Sequence, residues 1–273
     1  MIDELDDPYP IDVSHVEFMR LNGFVKLSRV LSPQTFVKFG EEITRLTLEL
    51  NTMKVPLEER STYDRAFLQV MNLWKSSPIV ERFVRSKRLA RIATELLGTN
   101  GVRLYHDQSL YKEPGGGYTP AHADQYYWPF ATDRAVTAWI PLQAVPQDMG
   151  PIAFYAGSHG ESFGRDLPIS DESEQRITTA MEAGRFPIVD HPFELGDVSF
   201  HLGWTFHRAR PNLTNRARSV MTIIYMDETM RLVEEPRGNQ KIDWERWCPG
   251  AVPGEPIATS LNPVLYSRDV GLP

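Results

Sequence analysis

The stretch TPAHADQYYW, residues 119–128, places a histidine and an aspartate two positions apart, at His122 and Asp124. In an extended backbone, residues i and i+2 point to the same side, so both side chains can contact one metal ion. A third ligand must come from a distant segment, and the best candidate is His207, in the stretch WTFHRARPN of residues 204–212. Two imidazoles and one carboxylate leave positions open on a metal, which suits non-haem Fe(II) with O₂ and an organic co-substrate. The sequence therefore predicts an iron-dependent oxygenase.

The third ligand has to be chosen among seven histidines. His201 is the main competitor of His207, and because Gly203 between them is expected to bend the chain, strand parity does not decide which one faces the metal. His207 is favoured because a short turn and a new strand carrying Arg218 follow it. The remaining histidines are expected in a helix, a strand or loops: His15, His106 (which shares strand parity with Gln108), His159 and His191.

Aromatic residues close to the two histidine segments distinguish them from chance occurrences on surface turns. A cavity lined by aromatic side chains and a few convergent polar groups is typical of small-molecule sites. The candidates for lining a substrate pocket are Tyr126, Tyr127, Trp128, Phe130, Trp204 and Phe206. The alternative, that about half of them belong to the core between two sheets, is equally consistent with the sequence.

Composition and charge narrow the class of partner. The chain has 273 residues, a net charge of −7 and no basic tract, which argues against binding to nucleic acid. The acidic N-terminus lacks the apolar core of a signal peptide, and no apolar run reaches the roughly 18 residues that a bilayer span requires. The single cysteine, Cys248, cannot form an internal disulfide, so a cytoplasmic location is expected. The expected partner is a small-molecule substrate.

The chain divides by character into four segments of one predicted domain, residues 1–273. Residues 1–13 are expected to be a loose leader, and residues 14–100 a mainly helical support. Residues 101–226 are rich in strand patterns with short turns, and residues 227–273, rich in proline and glycine, are expected to wrap around the domain. Helices first and many strands afterwards predict an α+β, mainly β fold whose strands form a sandwich or jelly roll.

Helix and strand signals set the expected boundaries. A capping pattern at Ser14 opens a first helix that Gly23 should end, and Ser32-Pro33 opens a second. The second helix carries an apolar stripe at helical spacing: Phe36, Phe39, Ile43, Leu46 and Leu50. Further helices are expected after Ser77-Pro78, from Ser86 to Gly98, and at residues 171–183. Strands are expected at residues 24–27, 102–112, 135–145, 192–195, 198–202 and 218–226, with a turn-like segment at residues 150–159.

Arg218 is the candidate for holding the organic co-substrate. A 2-oxo acid that chelates iron needs its distal carboxylate fixed, and a guanidinium does this through two parallel hydrogen bonds. Arg216 has the same strand parity, so alternation alone does not exclude it. For either arginine the alternative is a solvated surface charge.

Four blocks of the sequence resemble the phytanoyl-CoA dioxygenase family of Fe(II)- and 2-oxoglutarate-dependent oxygenases. They agree with that family in order and spacing and span most of residues 15–226: Asn22–Val25, Lys112–Asp124, Trp139–Leu142 with Gly157–His159, and Gly196–Arg218. The resemblance implies a double-stranded β-helix, a cupin-like jelly roll, with N-terminal helices packed on one sheet.

The resemblance also implies roles for individual residues. His122 and Asp124 match the family's first two iron ligands, His207 matches the third, and Asn212 falls where the family has an asparagine. Arg218 matches the anchor of 2-oxoglutarate. Halogenating relatives replace the carboxylate ligand by a small residue, so the retained Asp124 favours oxygenation.

Further residues are implied around the co-substrate. Gln108 and Trp139 align with positions that line the 2-oxoglutarate pocket, and Gln69 or Asn72 is a candidate for another polar contact. The implied cofactor is Fe(II), with 2-oxoglutarate and O₂ as co-substrates. The implied reaction is hydroxylation or another oxidation of an unactivated C–H bond of a small organic molecule, with release of succinate and CO₂.

The sequence leaves the substrate and two rival functions open. Arg208 and Arg210 are available for the phosphates of an acyl-CoA, but two arginines in an acidic chain are thin support, so a small metabolite or natural-product intermediate is preferred. One rival is a cupin-type metal oxygenase or isomerase that does not use 2-oxoglutarate. The other is a non-catalytic jelly-roll protein that binds a metal or a ligand, and zinc can occupy the same ligand set.

Overall fold

Between Glu4 and Asp269, the part of the chain that this computed structural model describes, the strands form two antiparallel sheets. The strands are β1 (Phe24–Leu27), β2 (Leu68–Met71), β3 (Gly101–Lys112), β4 (Thr119–His122), β5 (Ala135–Pro141), β6 (Ile152–Tyr155), β7 (Ile188–Val189), β8 (Val198–Leu202), β9 (His207–Ala209), β10 (Arg218–Asp227) and β11 (Val264–Ser267). The larger sheet has seven strands in the order β1-β8-β5-β10-β3-β11, with β2 also paired to β3. The smaller sheet has four strands in the order β4-β9-β6-β7.

Most of the predicted strands are confirmed, with three differences. The strand from Ala135 ends at Pro141, before the predicted boundary at residue 145. Residues 192–195 are not a strand: Phe193 makes only an isolated bridge to Val145, and Pro192 cannot donate a ladder hydrogen bond. Part of residues 150–159, expected as a turn, forms β6 at the centre of the smaller sheet.

The helices are α1 (Val13–Asn22), α2 (Pro33–Leu50), α3 (Thr62–Ala66), α4 (Pro78–Val84), α5 (Lys87–Leu97), α6 (Asp171–Ala183) and α7 (Asn239–Trp247). The first begins earlier than predicted, because Asp12 rather than Ser14 caps it by accepting the His15 N–H at 3.1 Å. Gly23 ends this helix with a φ of 81°, as expected of a left-handed cap. None of the helices between residues 4 and 269 combines the length and apolar character that crossing a bilayer requires.

Helices α2, α4 and α5 cover one face of the larger sheet. The apolar stripe of α2 is buried at Phe36, Phe39, Ile43 and Leu46, while Leu50 is 38% exposed and lies outside the core. The sheet contributes alternate residues to the same core, as β5 does with Val136, Ala138 and Ile140. The predicted packing of the N-terminal helices on one sheet is therefore confirmed, and the opposite face of β5, with Thr137 and Trp139, remains free to line a site.

A bulge in β3 changes which residues of that strand face the helices. Leu104 pairs with Tyr225 and His106 pairs with Ile224, so Tyr105 is an extra residue in the ladder. Leu104 therefore packs in the helix-covered core, whereas His106 lines a cavity on the other face. The ring of Tyr105 packs in a separate cluster of buried residues that also contains Phe130.

Both ends of the described chain are more ordered than the sequence suggested; residues 1–3 of the predicted leader and 270–273 of the predicted tail lie outside the described residues. Leu5 is fully buried, and the Glu4 carboxylate accepts the Ser32 N–H at 2.9 Å, so this part of the leader is not loose. The tail contributes β11 to the edge of the larger sheet and places α7 beside β3. It therefore adds to the fold instead of only wrapping around it.

The helix layer offers a stability test at Phe83, whose fully buried ring lies 5.5 Å from that of Phe39. Phe83→Ala is expected to lower the free energy of unfolding by about 3–5 kcal/mol, because it leaves a cavity between helices and sheet. Urea denaturation monitored by circular dichroism measures the change. Ile79→Ala on the same helix is the control, since Ile79 is 39% exposed. Equal losses in both variants would contradict the packing described.

Candidate active site

A cavity of about 470 Å³ is lined by side chains from both sheets. The larger sheet contributes polar and aromatic residues that alternate with its core positions: His106, Gln108, Thr137, Trp139, His201, Arg218 and Thr222. The smaller sheet contributes Thr119, His122, Ile152 and His207. Asp124 also lines the cavity, from the single helical turn at residues 124–126 that follows β4.

Pairing of β4 with β9 brings the two predicted histidines together. His122 is the register partner of His207, and their ring centroids are 4.2 Å apart. The Asp124 Oδ1 atom lies 3.6 Å from His122 Nε2 and 3.7 Å from His207 Nε2. All ligand atoms of this set lie within 4.8 Å of one another, so the three side chains can hold one metal ion.

Backbone carbonyls orient the two imidazoles. His122 Nδ1 lies 2.7 Å from the Pro120 carbonyl oxygen, and His207 Nδ1 lies 3.0 Å from that of Thr205. A carbonyl oxygen can only accept a hydrogen bond, so each Nδ1 carries the proton. Each Nε2 therefore directs a lone pair into the space that it shares with the Asp124 carboxylate, where one metal ion can bind. Burial lowers the pKa of both histidines to about 4, so both are neutral at neutral pH, as metal ligands must be.

The two oxygens of Asp124 have different partners. Oδ2 accepts a hydrogen bond from Thr137 Oγ1 at 3.0 Å and lies 3.2 Å from His201 Nε2, whereas Oδ1 faces the other two histidines. Burial by itself would raise the pKa of Asp124, but His207, His201 and His122 together hold it well below its usual range. His201 thus contacts Asp124 from the larger sheet and lies outside the three-residue ligand set.

Arg218 is buried in one corner of the cavity without a counter-ion. Its guanidinium lies 5.6 Å from the Trp139 ring centroid and donates from Nη1 to the Gly150 carbonyl, while Nε has no partner. Within residues 4–269, no carboxylate forms an ion pair with Arg218, and burial lowers its pKa to about 9. An anion in this corner would compensate the buried charge. Arg216, the alternative with the same parity, is exposed.

A buried lysine lies beside Arg218 on the neighbouring strand. Lys112 is its register partner on β3, fully buried, and donates from Nζ to the Gly117 carbonyl and to Thr119 Oγ1. Burial and the charge of Arg218 hold the pKa of Lys112 well below its usual range. The sequence does not predict this position for Lys112, because nothing distinguishes a buried lysine at the end of a strand from a surface charge.

The other residues predicted around the co-substrate are divided between cavity and core. Gln108 and Trp139 line the cavity, and so does Gln69, whose amide donates to Gln108 Oε1. Asn72 does not line it: its backbone is left-handed, with a φ of 52°, and its side chain accepts the Trp74 indole N–H at 3.2 Å. Asn72 therefore opens the turn at residues 73–75 and is removed from the predicted site.

The predicted aromatic pocket is also divided. Tyr127 and Trp128 line the cavity, but Tyr126, Phe130, Trp204 and Phe206 do not. Phe130 and Phe206 are buried in core clusters, Trp204 stacks beneath the Arg165 guanidinium at 4.6 Å, and Tyr126 packs edge-on against Tyr127. For Tyr126 the reason is the helical turn after β4, which replaces the alternating side-chain directions of an extended strand.

Several lining residues were missed by the sequence reasoning. His106 could have been found, because it shares strand parity with Gln108. Thr137 could have been found in the same way from Trp139. Tyr63 lies in a segment with no clear pattern, and Asp243 and Trp247 come from α7, where nothing in the sequence pointed towards the cavity.

Comparison with known proteins agrees with this geometry. A family model described as phytanoyl-CoA dioxygenase matches residues 19–220. A probable alpha-ketoglutarate-dependent hypophosphite dioxygenase of Stutzerimonas stutzeri is 23% identical over 218 residues, which are 74% of this chain and 74% of that protein. Alpha-ketoglutarate is another name for 2-oxoglutarate.

Two enzymes of nogalamycin biosynthesis have similar structures. The non-haem alpha-ketoglutarate-dependent epimerase SnoN, solved with Fe³⁺, alpha-ketoglutarate and nogalamycin RO, is 26% identical, with a TM-score of 0.77 over 93% of this chain and 98% of SnoN. The carbocyclase SnoK is 26% identical, with a TM-score of 0.76 over 94% of this chain and 99% of SnoK. These similarities confirm the predicted jelly roll and the dependence on iron and 2-oxoglutarate. The chain therefore belongs to the phytanoyl-CoA dioxygenase family and is an Fe(II)- and 2-oxoglutarate-dependent dioxygenase.

Proposed function

We propose that His122, Asp124 and His207 bind the catalytic iron, and that Arg218 binds the distal carboxylate of 2-oxoglutarate. The observation that carries this assignment is the convergence of two neutral Nε2 atoms and one carboxylate oxygen within 4.8 Å. That donor set suits Fe(II), which takes two histidines and one carboxylate and keeps positions open. The unpartnered Nε of the buried Arg218 supports the second assignment, because it offers a free donor to an incoming carboxylate.

The bound iron and 2-oxoglutarate supply the activation of O₂ for oxidation of an unactivated C–H bond, with release of succinate and CO₂. The chain's own residues provide orientation. Thr137 and His201 fix the Asp124 carboxylate through Oδ2, so that Oδ1 is directed to the ligand set. The Trp139 ring holds the Arg218 guanidinium in place, and the lining rings of Tyr127 and Trp128 exclude water.

The proposed substrate is a small organic metabolite or natural-product intermediate that is hydroxylated or otherwise oxidised. A cavity of about 470 Å³ with an aromatic wall supports this class. The arginines considered for acyl-CoA phosphates are already paired: Arg208 lies 2.6 Å from Glu174, and Arg210 lies 2.9 Å from Asp190. The similarity to SnoN and SnoK, both described as enzymes of nogalamycin biosynthesis, points in the same direction.

Anaerobic addition of Fe(II) and 2-oxoglutarate tests the ligand assignment. The wild-type protein is expected to show the weak visible charge-transfer band of the chelate. The band should be absent in His207→Ala and fade in Arg218→Ala, because the first loses a metal ligand and the second the carboxylate anchor. His201→Ala is the matched control: it loses only a contact to Asp124, so its metal affinity should fall by about 10- to 100-fold and the band should return with excess Fe(II). The reverse pattern in the two histidine variants would refute the assignment, and metal binding without this band in the presence of 2-oxoglutarate would favour a cupin-type enzyme.

Metal binding should depend on pH in one direction. Burial lowers the pKa of His122 and His207 to about 4, so protons compete for Nε2 only as the pH falls towards that value. The affinity for Mn(II), an air-stable substitute, is expected to be constant from about pH 8 to 6 and to weaken only below about pH 5, as the pH approaches the pKa of the two histidines. Electron paramagnetic resonance titrations measure it, with His15→Gln as a control outside the cavity. An affinity lost with a midpoint near the ordinary histidine pKa of about 6.5 would contradict the burial argument.

The unpaired charge of Arg218 should cost stability when no anion is bound. Arg218→Met is expected to raise the unfolding free energy of the metal- and co-substrate-free protein by roughly 1–4 kcal/mol, because it removes a desolvated cation while keeping the volume. At constant Mn(II), added 2-oxoglutarate should stabilise the wild type more than the variant, which keeps the metal ligands but lacks the carboxylate anchor. Denaturant unfolding measures both effects, and Arg45→Met, at an exposed arginine, is the control. A variant that is clearly less stable without ligands would show that the Gly150 and Trp139 contacts outweigh the charge.

A further inference from the structure

The cavity has a second charged region, contributed by the tail of the chain. Helix α7 supplies Asp243, Arg246 and Trp247 to the lining. It lies outside residues 19–220, the range that matches the family model. Its contact with the larger sheet runs through β3, where the ring centroids of Trp247 and His106 are 5.3 Å apart.

Asp243 is the lining carboxylate that the proposed iron and 2-oxoglutarate sites leave without an ion pair, although burial raises its pKa and the charge of Arg246 on the same helix lowers it. The other carboxylate of the lining, Asp124, belongs to the proposed metal site. Among the arginines of the lining, Arg208 is paired with Glu174, and Arg218 lies in the corner assigned to 2-oxoglutarate. Arg246 is exposed, and within residues 4–269 no lysine or arginine forms an ion pair with Asp243.

Neutral donors hold Asp243 in position. The Tyr105 hydroxyl donates to Oδ2 at 2.9 Å, and the Trp247 side chain donates a further hydrogen bond. These contacts fix the carboxylate without neutralising it. Burial raises the pKa of Asp243 to about 6, so the group still carries its charge at neutral pH. The rings of Trp128 and Trp247 line the same cavity as this carboxylate.

We propose that Asp243 binds a protonated amine of the substrate, with the Trp128 and Trp247 rings packed around the cation. A carboxylate among aromatic faces is complementary to an ammonium group, which gains both an ion pair and cation–π contacts. A hydroxyl would leave this partly buried carboxylate without an ion pair, and an anionic substrate would be repelled by it. The net charge of −7 also favours the approach of a cation. The assignment rests on the proposed function and names the substrate class of the same site.

Matched pairs of probes test this assignment without knowledge of the natural substrate. The pairs are 2-phenylethylamine, tryptamine and cyclohexylmethylamine, each with its N-acetyl derivative. Binding to protein loaded anaerobically with Fe(II) and 2-oxoglutarate is followed by isothermal titration calorimetry and by the change in the chelate band. At least one amine is expected to bind ten times more tightly than its acetylated partner in the wild type. Asp243→Asn should reduce this preference to less than twofold while the chelate band remains.

Two further variants keep the test decisive. Glu245→Gln removes an exposed carboxylate from the same helix and should leave the preference unchanged. Asp243→Glu keeps the charge and should retain part of the preference, which separates recognition from a general loss of structure. Equal binding of both members in every pair, no binding of any amine, or a preference that persists in Asp243→Asn would overturn the assignment. Absence of the chelate band in the wild type would instead count against the proposed iron and 2-oxoglutarate site.

Discussion

The Asp124 carboxylate connects the two sheets, and the geometry of the cavity depends on it. Its Oδ2 atom is held by Thr137 and His201 from the larger sheet, while its Oδ1 atom faces His122 and His207 on the smaller one. A carboxylate that has lost most of its water remains ionised only when polar contacts replace that water, and Asp124 takes these contacts from both sheets. Both sheets must therefore be correctly placed before this group can remain ionised. The same placement of the two sheets brings the Nε2 atoms of His122 and His207 close to Asp124. Correct packing of the sheets therefore stabilises the fold and also forms the metal-binding geometry.

The cavity is electrically polarised around this centre. Arg218 gives one corner of the lining a positive charge, and Asp243 gives the wall formed by the tail the opposite charge. A cavity with two regions of opposite charge can sort two small molecules by their own charges, because each is repelled from the region that suits the other. Under the two proposed assignments, each charge lacks an ion-pair partner until its ligand binds, which lowers the stability of the ligand-free protein. Such local instability is common where binding requires it.

Much of the centre could be predicted because its signals are local. The i, i+2 spacing of His122 and Asp124 needs only a short extended segment, and the choice of His207 needed only the turn and strand that follow it. The alternating β-branched and aromatic residues of β5 likewise predicted a strand with one covered face. These features depend on neighbours in sequence, so one chain is enough to find them.

The errors come from interactions between distant segments. Phe130 and Phe206 are apolar whether they face a core or a cavity, and only the tertiary fold decides between these environments. Asn72 is polar like Gln69, but its left-handed backbone turns it away from the site. The leader was expected to be loose because its acidic residues look solvated, yet Glu4 caps α2 from a distance through the Ser32 N–H. The residue pattern of α7 has no periodicity that predicts a face lining the cavity.

The extra residue in β3 has a wider consequence for how this cavity can diversify. Because Tyr105 stands outside the two-sided alternation, its side chain serves neither the helix layer nor the metal end, and its hydroxyl instead reaches Asp243. Three consecutive residues of β3 therefore face three environments: Leu104 the helix-covered core, Tyr105 the cluster with Phe130, and His106 the cavity. The cavity wall formed by α7 thus contacts the sheet through Tyr105, a residue without a register partner in β10. Changes in this wall can therefore alter the cavity without disturbing the pairing of β4 with β9, which brings His122 and His207 together.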